Sequence, residues 1–168
     1  PAKSPAHFSF HGTDYYADSV FRYMFWMPRS RSEVSLMKYS PHDYQTYAVD
    51  YIETHPVATV FLDMGLGKTS ITLTAINDLL FDSFEVHRVL VIAPLRVARD
   101  TWTAEVDKWD HLQNLICSVA VGTESERRAA FMRPADIYII NRENVQWLVE
   151  ESGIPFTFDM IVIDELSS

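Results

Sequence analysis

The chain has 168 residues and a formal net charge of −9, with 48% hydrophobic and 22% charged residues, a composition typical of one globular domain with a full core. The negative charge excludes a global attraction to nucleic acid, so any such contact needs a local basic patch. No apolar run is long enough to span a bilayer, the polar start is not a signal peptide, and the single cysteine, Cys117, has no disulfide partner, so we expect a cytoplasmic protein without membrane association.

Residues 1–36 mix turn-forming residues with scattered aromatic side chains and show no regular period. The pattern then changes to that of a helix, for which Ser40 is a favourable N-cap and Pro56 a stop signal. Its predicted buried face carries side chains at helical spacing: Tyr44, Tyr47, Ala48, Tyr51 and Ile52. We therefore divide the chain into an N-terminal extension of unclear role, residues 1–36, and a lobe of residues 37–168.

The rest of the sequence alternates between short apolar runs and amphipathic stretches. Five of the runs are predicted strands, at residues 58–62, 88–94, 116–121, 136–140 and 159–164. Helices are predicted between them, at about residues 68–80, 97–109, 124–132 and 143–149. Continuous apolar strands separated by helices indicate an α/β fold, in which helices cover both faces of a parallel sheet.

A glycine loop, LDMGLGKT, follows the first predicted strand and opens the next helix. Gly65 and Gly67 let backbone N–H groups turn toward phosphates. Lys68 brings a positive charge to the β- and γ-phosphates, and the Thr69 hydroxyl is a ligand for Mg²⁺. The strict phosphate-loop pattern has a further glycine where Leu62 stands. The context nevertheless favours phosphate binding over an ordinary turn between strand and helix.

The last predicted strand, MIVIDE, ends in two carboxylates, Asp164 and Glu165. The carboxyl ends of parallel strands share one edge of the sheet, so both side chains are expected beside the glycine loop. Asp164 is expected to hold Mg²⁺ through water, and Glu165 to orient the water that attacks the γ-phosphate. A strand that ends in an acidic surface turn is common by itself, but after a glycine loop this pattern indicates ATP hydrolysis.

Five segments in this order resemble the first RecA-like lobe of the superfamily-two helicases. The likeness is closest to the Swi/Snf family of DNA translocases, in the small form found in phages and bacteria. The segments are YSPHDYQ, LDMGLGKT, VLVIAPLRVARDTWTAEVDKW, IYIINREN and MIVIDELS. The resemblance covers residues 37–168 and implies a P-loop RecA-like sheet, ATP and Mg²⁺ as cofactors, and double-stranded DNA as a partner. In this family the glycine loop lacks its first glycine, which accounts for Leu62.

The resemblance also implies roles for single residues. Gln45 matches the glutamine that hydrogen-bonds the adenine edge. His42 and Tyr44 are both candidates to pack on the base, although core packing is favoured for Tyr44. Arg96 and Arg142 match positions that face the DNA backbone, although a surface glutamine and solvated arginines are the plain alternatives. The nucleotide-binding set implied by the family comprises Gln45, Met64, Gly65, Leu66, Gly67, Lys68, Thr69 and Ser70.

Two tryptophans, Trp102 and Trp109, also match family positions, but their helical spacing predicts core packing. In the family, a further strand lies between the glycine-loop strand and the acidic strand, and a second RecA-like lobe supplies arginine fingers. On that comparison the lobe here is truncated, and we expect unpaired strand edges and poor hydrolysis of ATP by the isolated chain.

The sequence therefore predicts the ATP-binding lobe of a DNA-dependent ATPase that tracks along duplex DNA in a bacterial or phage-infected cell. Two alternatives remain open. The first is another P-loop phosphotransferase, which needs a substrate lid that the sequence does not supply. The second is a nucleotide- or DNA-binding module without activity of its own.

Overall fold

The computed structural model describes residues 36–164 of the chain. Its regular elements are α1 (Asp43–Thr54), α2 (Lys68–Phe81), β1 (Val89–Ala93), α3 (Trp102–Lys108), β2 (Cys117–Ala120), α4 (Glu124–Phe131), β3 (Ile137–Asn141) and β4 (Met160–Ile163). Shorter turns are the π-helical segments Val97–Thr101 and Trp147–Glu151 and the 3-10 segments Asp110–Leu112 and Arg142–Asn144. Residues 1–35 of the predicted extension, and Glu165, lie outside the described residues.

The four strands form one parallel sheet in the order β2-β3-β1-β4. Val89 at the start of β1 lies opposite Ile137 of β3 and Met160 of β4. The two central strands, β1 and β3, consist mainly of valine, isoleucine and leucine because both of their faces are covered. The predicted α/β fold with a parallel sheet is confirmed.

Helices cover the two faces of the sheet with separate groups of apolar side chains. On one face, α2 and α3 pack on the sheet through a cluster that includes Leu73, Ile76, Leu79, Val91, Ala98, Trp102, Val106 and Ile139. On the other face, α4 and the second π-helical turn contribute to a cluster that includes Leu90, Ala120, Phe131, Tyr138, Ile140 and Leu148. α1 lies outside α2, where Val49 packs with Ile71 and Ala75. No helix within residues 36–164 is long and apolar enough to cross a membrane.

The prediction of a strand at residues 58–62 is wrong, because this segment forms no strand. A strand needs a neighbour for its N–H and C=O groups, and none of the strands described here pairs with it. Phe61 is 88% exposed, and Leu62 is only partly buried where it packs against the cluster of α1 and α2. Apolar, β-favouring composition is therefore not sufficient where the ladder partner is lacking.

The first predicted helix is present. The residue at which it begins and the face that it buries both differ from the prediction. Its N-cap is His42 rather than Ser40, and Gln45 closes a capping box with it. The buried positions are Gln45 and Val49, whereas Tyr47, assigned to the buried face, is 71% exposed. The helix is turned by about one residue because the Gln45 side chain has hydrogen-bond partners on the inside.

The helix predicted at residues 143–149 is instead a 3-10 turn followed by a π-helical turn. The buried side chain of Asn141 donates to Glu143 and accepts from Asn144. Such local side-chain hydrogen bonds compete with the start of an α-helix and hold the tighter turn. The other predicted helices and strands are found within a few residues of their expected bounds.

We expect Leu73→Ala to lower the free energy of unfolding by about 2–5 kcal/mol, because Leu73 is fully buried between α2 and the sheet. Leu95→Ala is the matched control, since Leu95 is 42% exposed and its truncation should cost less than about 0.5 kcal/mol. Urea unfolding followed by circular dichroism measures both values. Equal costs for the two variants contradict the assignment of the core.

Candidate functional site

The glycine loop and Asp164 lie at the same edge of the sheet. α2 ends at Phe81, and a short connection leads from there to Val89, the amino end of β1. α2 therefore runs antiparallel to the strands, and its 14 residues span about 21 Å, enough to reach the opposite edge. Its first residue, Lys68, lies at the carboxyl end of the sheet. Asp164 follows β4 at that end, where its N–H donates to the carbonyl of Ile92 at 2.8 Å.

Asp164 also faces the side of the sheet that α2 covers. Side chains alternate along a strand, and Met160 and Val162 pack against the cluster that contains α2. Asp164 continues that series, and its Oδ2 accepts a hydrogen bond of 3.0 Å from the indole N–H of Trp102 in the same cluster. The carboxylate and the amino end of α2 thus share one face as well as one edge.

The loop owes its shape to two glycines in the left-handed region, Gly65 with φ +84° and Gly67 with φ +81°. Gly67 is the N-cap of α2, and no side chain accepts hydrogen bonds at this helix start within the described residues. The first N–H groups of α2 therefore point out of the helix without a side-chain cap. Together with the helix dipole, they form a site suited to an anion.

The loop closes around its own lysine. The ammonium of Lys68 donates to the carbonyl of Leu62 at 2.6 Å and to that of Asp63 at 3.4 Å. Thr69, half buried in the first turn of α2, is the hydroxyl predicted to ligate Mg²⁺. Ser70, the last residue of the predicted nucleotide set, is buried and donates from its hydroxyl to the carbonyl of Gly67 at 2.9 Å.

Gln45 packs directly on the glycine loop. Its Oε1 accepts from the backbone N–H of His42 at 2.9 Å, and its Nε2 donates to the carbonyl of Leu66 at 3.4 Å. A Cβ added at Gly67 would lie 2.6 Å from that Nε2. The two segments that the sequence assigned to one nucleotide are therefore neighbours, although they lie far apart along the chain.

An open concavity of about 670 Å³ adjoins this contact, and it is lined by Pro41, His42, Asp43, Tyr44 and Leu66. The rings of His42 and Tyr44 are nearly parallel, at 12°, with their centroids 5.7 Å apart. The expectation that Tyr44 belongs to the core is wrong, since it is 39% exposed and its hydroxyl donates to the carbonyl of Leu66. Both rings thus lie at the surface beside the loop.

The two arginines predicted to face DNA follow the central strands at the same edge. Arg96 is exposed after β1, and Arg142 follows β3, whose last residue, Asn141, pairs in register with Ala93. The hydrogen bond from the Asn141 amide lowers the pKa of Glu143 below its ordinary value. Glu143 is therefore ionised at neutral pH. Its negative charge partly offsets the positive charge of Arg142 at this edge.

The residues present fit a nucleoside triphosphate with Mg²⁺. The loop has no room for a Cβ at Gly67, and it combines an uncapped helix start with an ammonium group. Thr69 and Asp164 carry oxygen atoms of the kind that Mg²⁺ prefers as ligands. The roles of these residues, and of Met64, Leu66 and Glu165, stay predictions.

This combination of a parallel sheet covered on both faces, a glycine loop and a carboxylate at one edge defines the class as a P-loop, RecA-like α/β lobe. The chain belongs to the SNF2-related domain family, whose model matches residues 44–167. It is thereby a member of a family of helicase-like ATPases, as the sequence resemblance predicted.

The chain is also similar to protein p41 of Acyrthosiphon pisum secondary endosymbiont phage 1. The two are 36% identical over 128 residues, which cover 76% of this chain and 28% of p41. The match thus takes in less than a third of the length of p41.

One contact of the site was missed from the sequence. Trp102 was predicted as core, and it is 1% exposed, but its N–H also reaches Asp164. Helical spacing indicates only that a side chain is buried, and it gives no information on where the polar tip of an indole points.

We expect Gly67→Ala to destabilise the loop more than Gly65→Ala does. Both variants pay about 1–2 kcal/mol for the left-handed backbone. Only Gly67→Ala also meets the Gln45 amide, at a further cost of about 1–3 kcal/mol, because the space at Gly65 is open.

Urea unfolding of both single variants measures the difference, and adding Gln45→Ala to each tests its cause. The second substitution should recover stability in the Gly67→Ala background alone. A recovery of equal size in the Gly65→Ala background contradicts the contact.

Proposed function

We propose that the chain is the ATP-binding lobe of a DNA-dependent ATPase that translocates on double-stranded DNA. The observation that supports the proposal is that Gln45 contacts the glycine loop, while Asp164 follows β4 at the carboxyl edge of the sheet, on the face that α2 covers. Membership of the SNF2-related domain family supports the same reaction class. The single cysteine and the phage relative support a place in the cytoplasm of a bacterial or phage-infected cell.

In the proposed site each residue has a distinct task. The N–H groups at the start of α2 bind the phosphates, and Lys68 exchanges its carbonyl partners for phosphate oxygens. Gln45 reads the adenine edge beside the His42 and Tyr44 rings. Thr69 and Asp164 hold Mg²⁺, which neutralises charge on the phosphates when it is bound. Glu165 orients the attacking water.

Hydrolysis coupled to movement requires further parts, and we propose that a second RecA-like lobe provides them. Closure of that lobe adds positive charge at the γ-phosphate and converts hydrolysis into a step along DNA. Arg96, exposed at the carboxyl edge of the sheet, then contacts the DNA backbone.

We expect Lys68→Ala to abolish ATP binding while leaving the fold intact. The ammonium donates to two carbonyls of its own loop, so its loss removes a charge without opening the core. Titration with a fluorescent ATP analogue measures binding, and circular dichroism measures the fold. Lys38→Ala, which removes an exposed lysine outside the loop, is the control and should bind as the unaltered chain does. Unchanged binding by Lys68→Ala contradicts the proposed site.

We expect Arg96→Ala to weaken binding to duplex DNA at every sequence and to reduce the slope of log affinity against log salt by about 1. Arg133→Ala is the matched control, because Arg133 is exposed just after α4, at the opposite edge of the sheet, and its carbonyl bond to Tyr138 survives the change. Fluorescence anisotropy with labelled duplex DNA measures both. Equal losses in the two variants contradict a DNA contact at the carboxyl edge, and an absence of DNA binding favours the phosphotransferase alternative.

A further inference from the structure

The hydrogen bond between Trp102 and Asp164 joins the buried core to the candidate metal ligand. The Trp102 ring is 1% exposed and packed among the residues of α2, α3 and the sheet. Its indole N–H donates to Oδ2 of Asp164 at 3.0 Å. The Asp164 backbone is fixed as well, since its N–H donates to the carbonyl of Ile92. Asp164 is therefore fixed at two points, its backbone by the neighbouring strand and its carboxylate by the buried indole.

The chain reaches this contact through an unusual turn. Residues Val97–Thr101 form a π-helical segment immediately before Trp102, the first residue of α3. A π turn holds an extra residue, which rotates every following side chain by roughly 100° relative to a continuous α-helix. The wide turn thus sets the direction in which the Trp102 indole points. π-helical turns inside helices occur frequently at functional sites.

We propose that Trp102 is a positioning residue for the divalent cation, an inference that rests on the proposed function of the site. An ionised carboxylate offers two equivalent oxygens, and it rotates freely unless one of them is engaged. The indole N–H occupies Oδ2, so Oδ1 is the oxygen left for the cation or its water. Because indole has no acceptor nitrogen, the bond has only one direction, from Trp102 to Asp164.

Trp102→Phe tests this role, because phenylalanine keeps an aromatic ring in the core and removes the donor. The matched control is Trp109→Phe, which removes an indole N–H from the end of the same helix, where it donates to Glu105 at 2.7 Å. A fluorescent ATP analogue is titrated into the intact chain with Mg²⁺ and again with EDTA. The ratio of the two affinities reports the contribution of the metal.

We expect Trp102→Phe to reduce that ratio by about 10-fold, as is typical when a residue that orients a metal ligand is lost. Its affinity in EDTA, and both affinities of Trp109→Phe, should match those of the unaltered chain. A ratio unchanged by Trp102→Phe overturns the inference. An equal loss with Mg²⁺ and with EDTA also overturns it, because that result means a purely structural role.

Asp164→Asn separates this inference from the proposed function. If Asp164→Asn leaves the Mg²⁺ ratio unchanged, Asp164 is not the ligand and the proposed site itself fails. If Asp164→Asn lowers the ratio and Trp102→Phe does not, only the positioning role fails. In the Asp164→Asn background, Trp102→Phe should cause no further loss, since both changes act through one contact.

A measurement on the unaltered chain keeps the test decisive if Trp102→Phe fails to fold. The indole N–H resonance of Trp102 is followed by NMR while Mg²⁺ is added to the nucleotide-bound chain. We expect this resonance to shift and that of Trp109 to stay in place. A Trp102 resonance that does not respond to Mg²⁺ overturns the inference.

Discussion

The parallel pairing of β4 with β1 is the constraint on which the site depends. It carries Asp164 to the carboxyl edge of the sheet, and the register decides which face its side chain takes. A slip of one residue would turn that carboxylate away from α2 and expose Met160 and Val162 instead. The packing of those two side chains therefore fixes the position of the Asp164 carboxylate. Apolar packing along β4 thus determines where this carboxylate lies.

A second contact, between Gln45 and the glycine loop, organises the other half of the site. The amide of Gln45 accepts from its own helix start and donates to the loop, so it serves the capping of α1 and the shape of the loop together. The absence of a side chain at Gly67 is what allows this approach. The element that the family links to adenine and the loop proposed to bind phosphate are thus in contact in the absence of a nucleotide.

The sequence predicted most of the fold and failed where pairing or side-chain hydrogen bonds decide the outcome. Buried strands such as β1 and β3 are almost entirely apolar, so composition identifies them. Residues 58–62 have the same composition, but strand formation depends on a neighbour that a local pattern does not reveal. The orientation of α1 depends on Gln45, a polar residue that a search for apolar faces passes over. Of the site, motifs located the loop and Asp164, whereas the Trp102 contact follows only from three-dimensional geometry.

The engagement of Lys68 with the carbonyls of Leu62 and Asp63 has a consequence for ligand entry. The ammonium is neither free in water nor buried without partners, because it links the start of the loop to the first turn of α2. An incoming anion then replaces two internal acceptors by stronger ones, and the net gain is the difference between the two sets of bonds. The contacts of Lys68 thus hold its ammonium in place before the proposed ligand binds. Breaking them on binding lowers the affinity for that ligand.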